Sequence, residues 1–349
     1  MESQINLSFL PKALLPWYAE NKRNLPWRMD LEPYHVWISE IMLQQTRVEA
    51  VREYYLRFIQ SLPTVESLAN ASQDMLYKLW EGLGYYSRAR NLKKAAEMIC
   101  SQYDGQFPHR YEDILALPGV GPYTAGAIAS IAFNQKTPAV DGNVLRVFAR
   151  LTNDATPVDD PSLKKTVSAR LREIYPDAAG DFTQAIMELG ATICGPNRKP
   201  VCEICPCNSF CEAFKRGTAE QLPVKSPKKP RRVEEKTVFI LSCEGEYALE
   251  KRKSTGLLAG LWQFPNIPGK LDITAALAEL KKLGIHTKDV KRRVERNHIF
   301  THVEWDMVGI YLEVSAKSGK FTWFSAENVY EQAALPTAFR QFWEEIEHV

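Results

Sequence analysis

Between Leu117 and Asp141 the chain reads LPGVGPYTAGAIASIAFNQKTPAVD. Gly119 and Gly121 stand two apart, just before Pro122 and Tyr123. Glycine reaches backbone conformations closed to other residues and lets the chain approach another surface closely. A helix entered from such a turn points free N–H groups outward, where they can hold a phosphate. Ala125, Gly126, Ala127, Ala129 and Ser130 then let that helix pack tightly. The stretch therefore predicts a helix–turn–helix corner with Tyr123 opening its second helix. A lone G-x-G is common at plain packing corners, so the rest of the chain must say whether this one binds anything.

The next segment, VDGNVLRVFARL, sets Val144, Val147, Phe148 and Leu151 at i, i+3, i+4 and i+7. A helix thus starts near Asp141 to Asn143, and both end residues are favoured caps. Upstream, Phe9, Leu10, Leu14, Leu15 and Trp17 carry helical spacing, and Pro26 breaks the pattern before Trp27 and Arg28. Trp and Arg side by side are an ordinary core-and-surface pair, but they also suit stacking on a base and contacting a phosphate. Tyr34 to Val48 predicts one helix with an apolar stripe, carrying Glu40 and Gln44 on one face. Taken alone, Glu40 reads as a solvated glutamate. The paired Gln44 and Gln45 are natural readers of base edges. Residues 51–100 continue as helices, interrupted by GLGYYSRARNL, where glycines flank Leu83 and suit a loop that wedges an apolar side chain into a DNA stack.

Length argues for two domains, since 349 residues exceed one ordinary core. No apolar run approaches 18 residues, and the first 20 residues lack a secretion pattern, so no membrane association and an intracellular location are expected. The net charge of +2 argues only weakly for nucleic acid. Its excess sits in residues 215–233, with seven basic residues and one acidic, and 215–235 reads as a Pro-rich basic linker. Five of the seven cysteines fall between 194 and 211, a metal or cluster pattern and not a disulfide framework. Cys194-x7-Cys202-x2-Cys205-x5-Cys211 suits four thiolates around zinc or a 4Fe–4S cluster, with Cys207 as an extra thiol. In the same loop Arg198 and Lys199 are candidates for a phosphate contact. From Thr237 the pattern turns to strands: TVFILS and YALEKR as a hairpin's arms, VGIYLEV and FTWFS later.

Taken together, SEIMLQQT, LPGVGPYTA, VDGN and the cysteine cluster resemble helix-hairpin-helix base-excision DNA glycosylases, specifically the MutY-type adenine-specific family. GLLAGLWQFP at 256–265 resembles the start of a Nudix box. The resemblance covers nearly the whole chain and implies a multidomain fold. An all-α glycosylase domain would take residues 1–214, with a six-helix module at about 27–135 and an iron–sulfur module from 1–26 plus 136–214. An α/β Nudix-like lesion-recognition domain would take 236–349. The resemblance also implies an enzyme that hydrolyses the N-glycosidic bond of adenine opposite 8-oxoguanine or G in duplex DNA. Glu40 would be the acid and Asp141 the stabilising carboxylate, oriented by Tyr123 and Asn143. Trp27, Arg28, Gln45, Leu83, Gly119, Gly121 and Gln184 would hold the base and the DNA. Phe300, Thr301 and His302, where the family has Phe-Ser-His, would read the lesion. Cys194, Cys202, Cys205 and Cys211 would ligate a 4Fe–4S cluster, although the first loop is one residue longer than the family's. A cytoplasmic, nucleoid-associated, bacterial-type monomer is the expectation. Tyr123 stands where bifunctional relatives carry a lysine, so strand cleavage is expected to be weak or absent. The Nudix box keeps only Glu279 where paired glutamates would hold Mg²⁺, so that domain is expected to be inactive. The rivals are a bifunctional endonuclease III-like glycosylase/lyase, a Nudix nucleotide hydrolase and a non-enzymatic DNA-binding module.

Overall fold

The computed structural model describes residues 6–196, 199–227 and 230–346, so Arg198 lies outside the described residues. The chain packs as two units: residues 1–70 with 91–227, and residues 71–90 with 228–349.

The first unit is helical. It begins with α1 (Phe9–Asn21), a short 3-10 turn at Pro26–Arg28, α2 (Pro33–Leu43), α3 (Val48–Ser61) and α4 (Val65–Asn70). After α5 (Gln73–Trp80), which belongs to the second unit, the chain re-enters through α6 (Ser87–Gln102). It goes on through α7 (Tyr111–Leu115), α8 (Pro122–Ile131), α9 (Gly142–Thr152), α10 (Pro161–Ile174), α11 (Ala179–Thr192) and α12 (Glu212–Lys215). The stretch read as one helix from Tyr34 to Val48 is two helices. Helix α2 stops at Leu43, Gln45 takes a left-handed backbone with φ 60°, and α3 begins at Val48. The apolar period continues across the break, which is why it was invisible in the pattern. Gln44 and Gln45 therefore sit on a loop, not on the face of α2.

Helices α7 and α8 are the expected corner. Small residues make α8 almost wholly internal, with every residue from Thr124 to Ile131 buried. Gly119 in the turn has φ 78°, and a Cβ there would stand 2.5 Å from the Cβ of Asn91. Helix α9 sets Val144, Val147, Phe148 and Leu151 into a core shared with Leu10 and Leu14 of α1 and Phe182, Ile186 and Leu189 of α11. Burial of such side chains stabilises by roughly 1.5–3 kcal/mol each.

The second unit is α/β. Its strands and helices are β1 (Arg232–Cys243), β2 (Glu246–Lys251), β3 (Trp262–Gln263), β4 (Asn266–Pro268), α13 (Ile273–Lys282), β5 (Thr287–Ile299), β6 (Val303–Val314), β7 (Thr322–Ser325), α14 (Ala326–Gln332) and α15 (Thr337–Trp343). The main path of the sheet runs β3-β2-β1-β6-β5, with β4 on β1 and β7 on β2. Strands β1 and β2 pair antiparallel, as the hairpin reading expected, while β1 and β6 are parallel. Successive residues of β1 point to opposite faces. Val238 and Ile240 pack with Phe339 and Phe342 of α15, and Phe239 and Leu241 pack with Ala276 and Leu280 of α13. Phe300, Thr301 and His302 were expected between strands, and β5 is the first of the two. It lies at the sheet edge and buries no residue fully, so TKDVKRRVERNHI shows no apolar period. Residues 71–90 join this unit through Glu81, which accepts from the Leu335 amide at 3.1 Å and pairs with Arg340, and through Asp74, which pairs with Lys251 at 2.7 Å.

Candidate active site

Helices α2, α8, α9 and α11 of the first unit enclose a cleft of about 620 Å³. Trp27, Arg28, Glu40, Gln45, Tyr123, Asp141, Asn143 and Gln184, drawn from distant parts of the sequence, all line it.

Glu40 is not a solvated glutamate: it is only 6% exposed. The Tyr123 hydroxyl donates to its Oε2 at 2.5 Å. Burial pushes the Glu40 carboxyl up to about 7, and the nearby Asp141 adds to the rise; the Tyr123 hydrogen bond and the Arg28 charge oppose it. A carboxyl so placed is half protonated near neutrality and can give up a proton there. Burial and the two carboxylates hold the Tyr123 phenol well above its usual range, so it stays a donor.

Asp141 does cap α9: its Oδ1 accepts the Val144 amide at 2.8 Å, a contact worth about 1 kcal/mol. The cap also fixes the carboxylate. Its Oδ2 takes the Asn143 side-chain amide at 2.7 Å. Asn143 is held in turn by Arg146, whose guanidinium donates to its Oδ1 at 2.7 Å, to the Gly190 carbonyl at 2.8 Å and to the Cys194 carbonyl at 2.8 Å. A Cβ at Gly190 would stand 2.7 Å from the Cβ of Asn143, so only glycine lets α11 come this close. Burial raises the Asp141 pKa, against the pull of the Val144 amide, Asn143 and Arg146.

In the same cleft wall, Glu188 is fully buried and takes Arg23 at 2.6 Å and Arg28 at 2.9 Å. Burial would raise its pKa, but the two guanidiniums outweigh it and hold the carboxyl below the usual range. Arg28, expected as a phosphate contact, is thus tied to Glu188 and to the Arg23 carbonyl at 3.2 Å. Trp27 sits edge-on to Tyr55 at 5.5 Å with its side chain largely covered. Sequence reading missed the Arg23–Glu188 link and the Arg146 brace. The available signal was a charge inside an otherwise apolar helix, which needs a buried partner.

The cysteines converge. Cys194, Cys202, Cys205 and Cys211 line one hollow with the apolar side chains of Val147, Leu151, Leu189 and Ile193, and the buried Cys207 lines it too. Arg150 donates to the Cys194 sulfur at 3.2 Å. A cationic donor and four thiols in a dry hollow fit an anionic thiolate-held cluster. Among the described residues, no three His, Cys, Asp or Glu side chains stand in the arrangement of a single-ion site.

The remaining expected residues lie elsewhere. Gly119 and Gly121 form the turn, with Gly121 capping α8 and Pro122 opening it. Leu83 is 6% exposed within the second unit. Phe300, Thr301 and His302 are the turn between β5 and β6. The Phe300 ring packs edge-on against Trp305 and His298, at 4.8 and 4.6 Å. Thr301 and His302 are exposed, and the Thr301 hydroxyl meets the Tyr85 hydroxyl at 2.7 Å.

An all-α unit with a glycine hairpin, a cleft holding one buried and one capping carboxylate, and a four-cysteine hollow defines a helix-hairpin-helix glycosylase class. Residues 38–176 match the HhH-GPD superfamily of base excision DNA repair proteins, and residues 237–345 match the NUDIX domain. The chain is 36% identical to the adenine DNA glycosylase of Homo sapiens, over 94% of this chain and 72% of that protein. It is 33% identical to that of Buchnera aphidicola subsp. Baizongia pistaciae, over 93% of each. Among solved structures, a thermostable thymine-DNA glycosylase aligns with a TM-score of 0.53 at 29% identity, over 60% of this chain and 95% of that one. An endonuclease III–DNA complex shares the fold, at 24% identity and a TM-score of 0.51 over 60% of this chain and 97% of that one. The chain belongs to the adenine DNA glycosylase family, enzymes of base-excision repair.

Proposed function

We propose that the chain removes adenine paired with 8-oxoguanine, or with G, from duplex DNA and leaves the abasic strand uncut. The observation that carries this reading is the Tyr123–Glu40 contact at 2.5 Å in the cleft that also holds Asp141.

The glycosidic bond cannot be reached inside a duplex, so the adenine must swing out, and the cleft receives it between Trp27 and Gln184. Adenine leaves poorly as an anion. Glu40, protonated because it is buried, gives its proton to N7. The C1′–N9 bond then breaks with its electron pair going to the base, and the sugar becomes cationic at C1′. Asp141, held by Asn143 and the Val144 amide, faces that charge as a carboxylate. Water adds at C1′ and its proton leaves through the carboxylates.

Helix α8 carries no lysine, which supports a monofunctional reaction. Among the described residues, Lys164 on α10 is the lysine of the cleft wall. Any adduct trapped by borohydride would therefore map to it. Cys194, Cys202, Cys205 and Cys211 would hold the 4Fe–4S cluster, which when bound supplies a redox-capable staple and no step of base removal. The chain divides its work between residues 1–214, a basic connector at 215–235 and a lesion reader at 236–349. The exposed hydroxyl of Thr301 and imidazole of His302 support the last assignment, since 8-oxoguanine differs from guanine by an N7–H donor and a C8 oxygen. Phe300 braces that turn from within.

The test compares duplexes holding one adenine opposite 8-oxoguanine or opposite G, with and without alkali. Strand breaks should need alkali. Replacing Phe300, Thr301 and His302 by alanine together should reduce excision opposite the lesion more than opposite G, by on the order of 1 kcal/mol per contact. Equal loss on both substrates would move lesion reading elsewhere, and efficient cleavage without alkali would refute the monofunctional mechanism.

A further inference from the structure

A second groove of about 420 Å³ runs along α10, beside the entrance of α8. It shares Tyr123, Val140 and Lys164 with the cleft wall, so the two hollows adjoin. Lys164, Lys165, Ser168 and Arg172 line it from α10 at i, i+1, i+4 and i+8, which places them on one side of that helix. Pro122, at the first turn of α8, lines the facing side.

Among the described residues no carboxylate lines the groove, and no ion pair engages Lys164, Lys165 or Arg172. Glu173 follows Arg172 on α10 but, at i+9 from Lys164, falls on the far side of the helix; three other nearby carboxylates have partners. Asp160 accepts the Ser162 amide at 2.8 Å, Asp159 accepts the Ser226 amide at 3.1 Å, and Asp177 pairs with Lys136 at 2.7 Å. By contrast Lys199, Lys215 and Lys251 each sit beside an acidic side chain. Three uncompensated cations on one helix face repel one another, so an arrangement of this kind suits a polyanion. From Lys164 to Arg172 the helix rises about 12 Å, enough to lie along roughly three phosphates of one strand.

We infer that this groove carries the sugar–phosphate backbone of the strand whose base enters the cleft, with Lys165 and Arg172 as phosphate contacts that read no sequence. The inference rests on the proposed DNA-acting role of the cleft. The wall shared at Tyr123 and Lys164 identifies the strand: a nucleotide swung into the cleft leaves its neighbouring phosphates beside the groove. Contacts of this kind set register and affinity, not base preference.

The test is salt-dependent binding by the full chain carrying Lys165→Ala and Arg172→Ala together. Lys164 is left intact because it also lines the cleft. The slope of log affinity against log salt should fall by about 2 for mismatched and fully paired duplexes alike. Single-turnover adenine release at saturating protein should stay within twofold. Lys282→Ala, which removes an exposed cation already paired with Glu279, serves as the control and should leave the slope unchanged. An unchanged slope in the double variant, or an equal fall per charge in the control, would overturn the inference. A wild-type protein that binds duplex with the full slope but releases no adenine would refute the proposed activity and leave the groove standing.

Discussion

At the scale of single residues, burial decides the chemistry of Glu40. Its carboxyl titrates at about 7 in the fold against an ordinary 4.5, so the folded state binds the proton more tightly than the unfolded chain. That stabilisation is complete below about 4.5 and is lost as pH rises through 7. Glu40→Gln should therefore gain stability over wild type at pH 8, by up to about 3 kcal/mol, and the gain should vanish below pH 4.5. Denaturant unfolding at both pH values checks this; a constant difference would mean that Glu40 is not desolvated. The same variant should bind duplex and release no adenine. Tyr123 acts in the opposite direction, because its hydroxyl favours the charged carboxylate. Tyr123→Phe should move the alkaline limb of the single-turnover pH profile upward from about 7. A limb that stays in place or moves down would take Tyr123 out of that role.

At the scale of elements, the turn between α7 and α8 turns two similar glycines into different requirements. Gly119 has a left-handed backbone and no room for a methyl group, whereas a Cβ on Gly121 would meet no atom within 4 Å. Gly119→Ala should cost on the order of 1–3 kcal/mol of stability. Gly121→Ala should cost only about 0.5–1 kcal/mol, for the weaker N-cap, so a larger loss of DNA affinity in that variant reports the close approach of a phosphate. Paired unfolding and binding curves separate the two, and a Gly119→Ala protein with wild-type stability would show that the turn can relax. The α2–α3 break belongs to this scale as well. The left-handed Gln45 puts both glutamines at the cleft, and no propensity of glutamine announces that bend.

At the scale of the whole molecule, the two units have different architectures. The second unit has the sheet and helices of a Nudix domain, but Glu279 on α13 is paired with Lys282 at 2.6 Å. A lone carboxylate already engaged by an ammonium cannot assemble the oxygen cage that Mg²⁺ and a pyrophosphate need. The full-length chain incubated with Mg²⁺ and 8-oxo-dGTP should release no pyrophosphate above background. Turnover on the scale of a working hydrolase would mean that other carboxylates assemble when substrate binds.

The order of helices, the hairpin and the strands β1 and β2 were legible in the sequence, because they rest on local periods and on glycines that punctuate them. So were Asp141 and Asn143, whose spacing to the apolar stripe of α9 fixes a helix start. Tyr123 was expected to orient Asp141, but its hydroxyl donates to Glu40. The sequence was silent where meaning depends on what lies across the fold. Glu40 looks solvated until α2 buries it against Tyr123. Arg28 looks free until Glu188, 160 residues away, claims it. Arg146 looks like one more surface charge until α11 approaches and makes it the brace of Asn143. Strand β5 has no apolar face to mark its bounds and exists because β6 offers an edge. Local steric preference writes elements into a sequence; desolvation and long-range pairing, which set the charge and direction of each functional group, arise only when those elements pack.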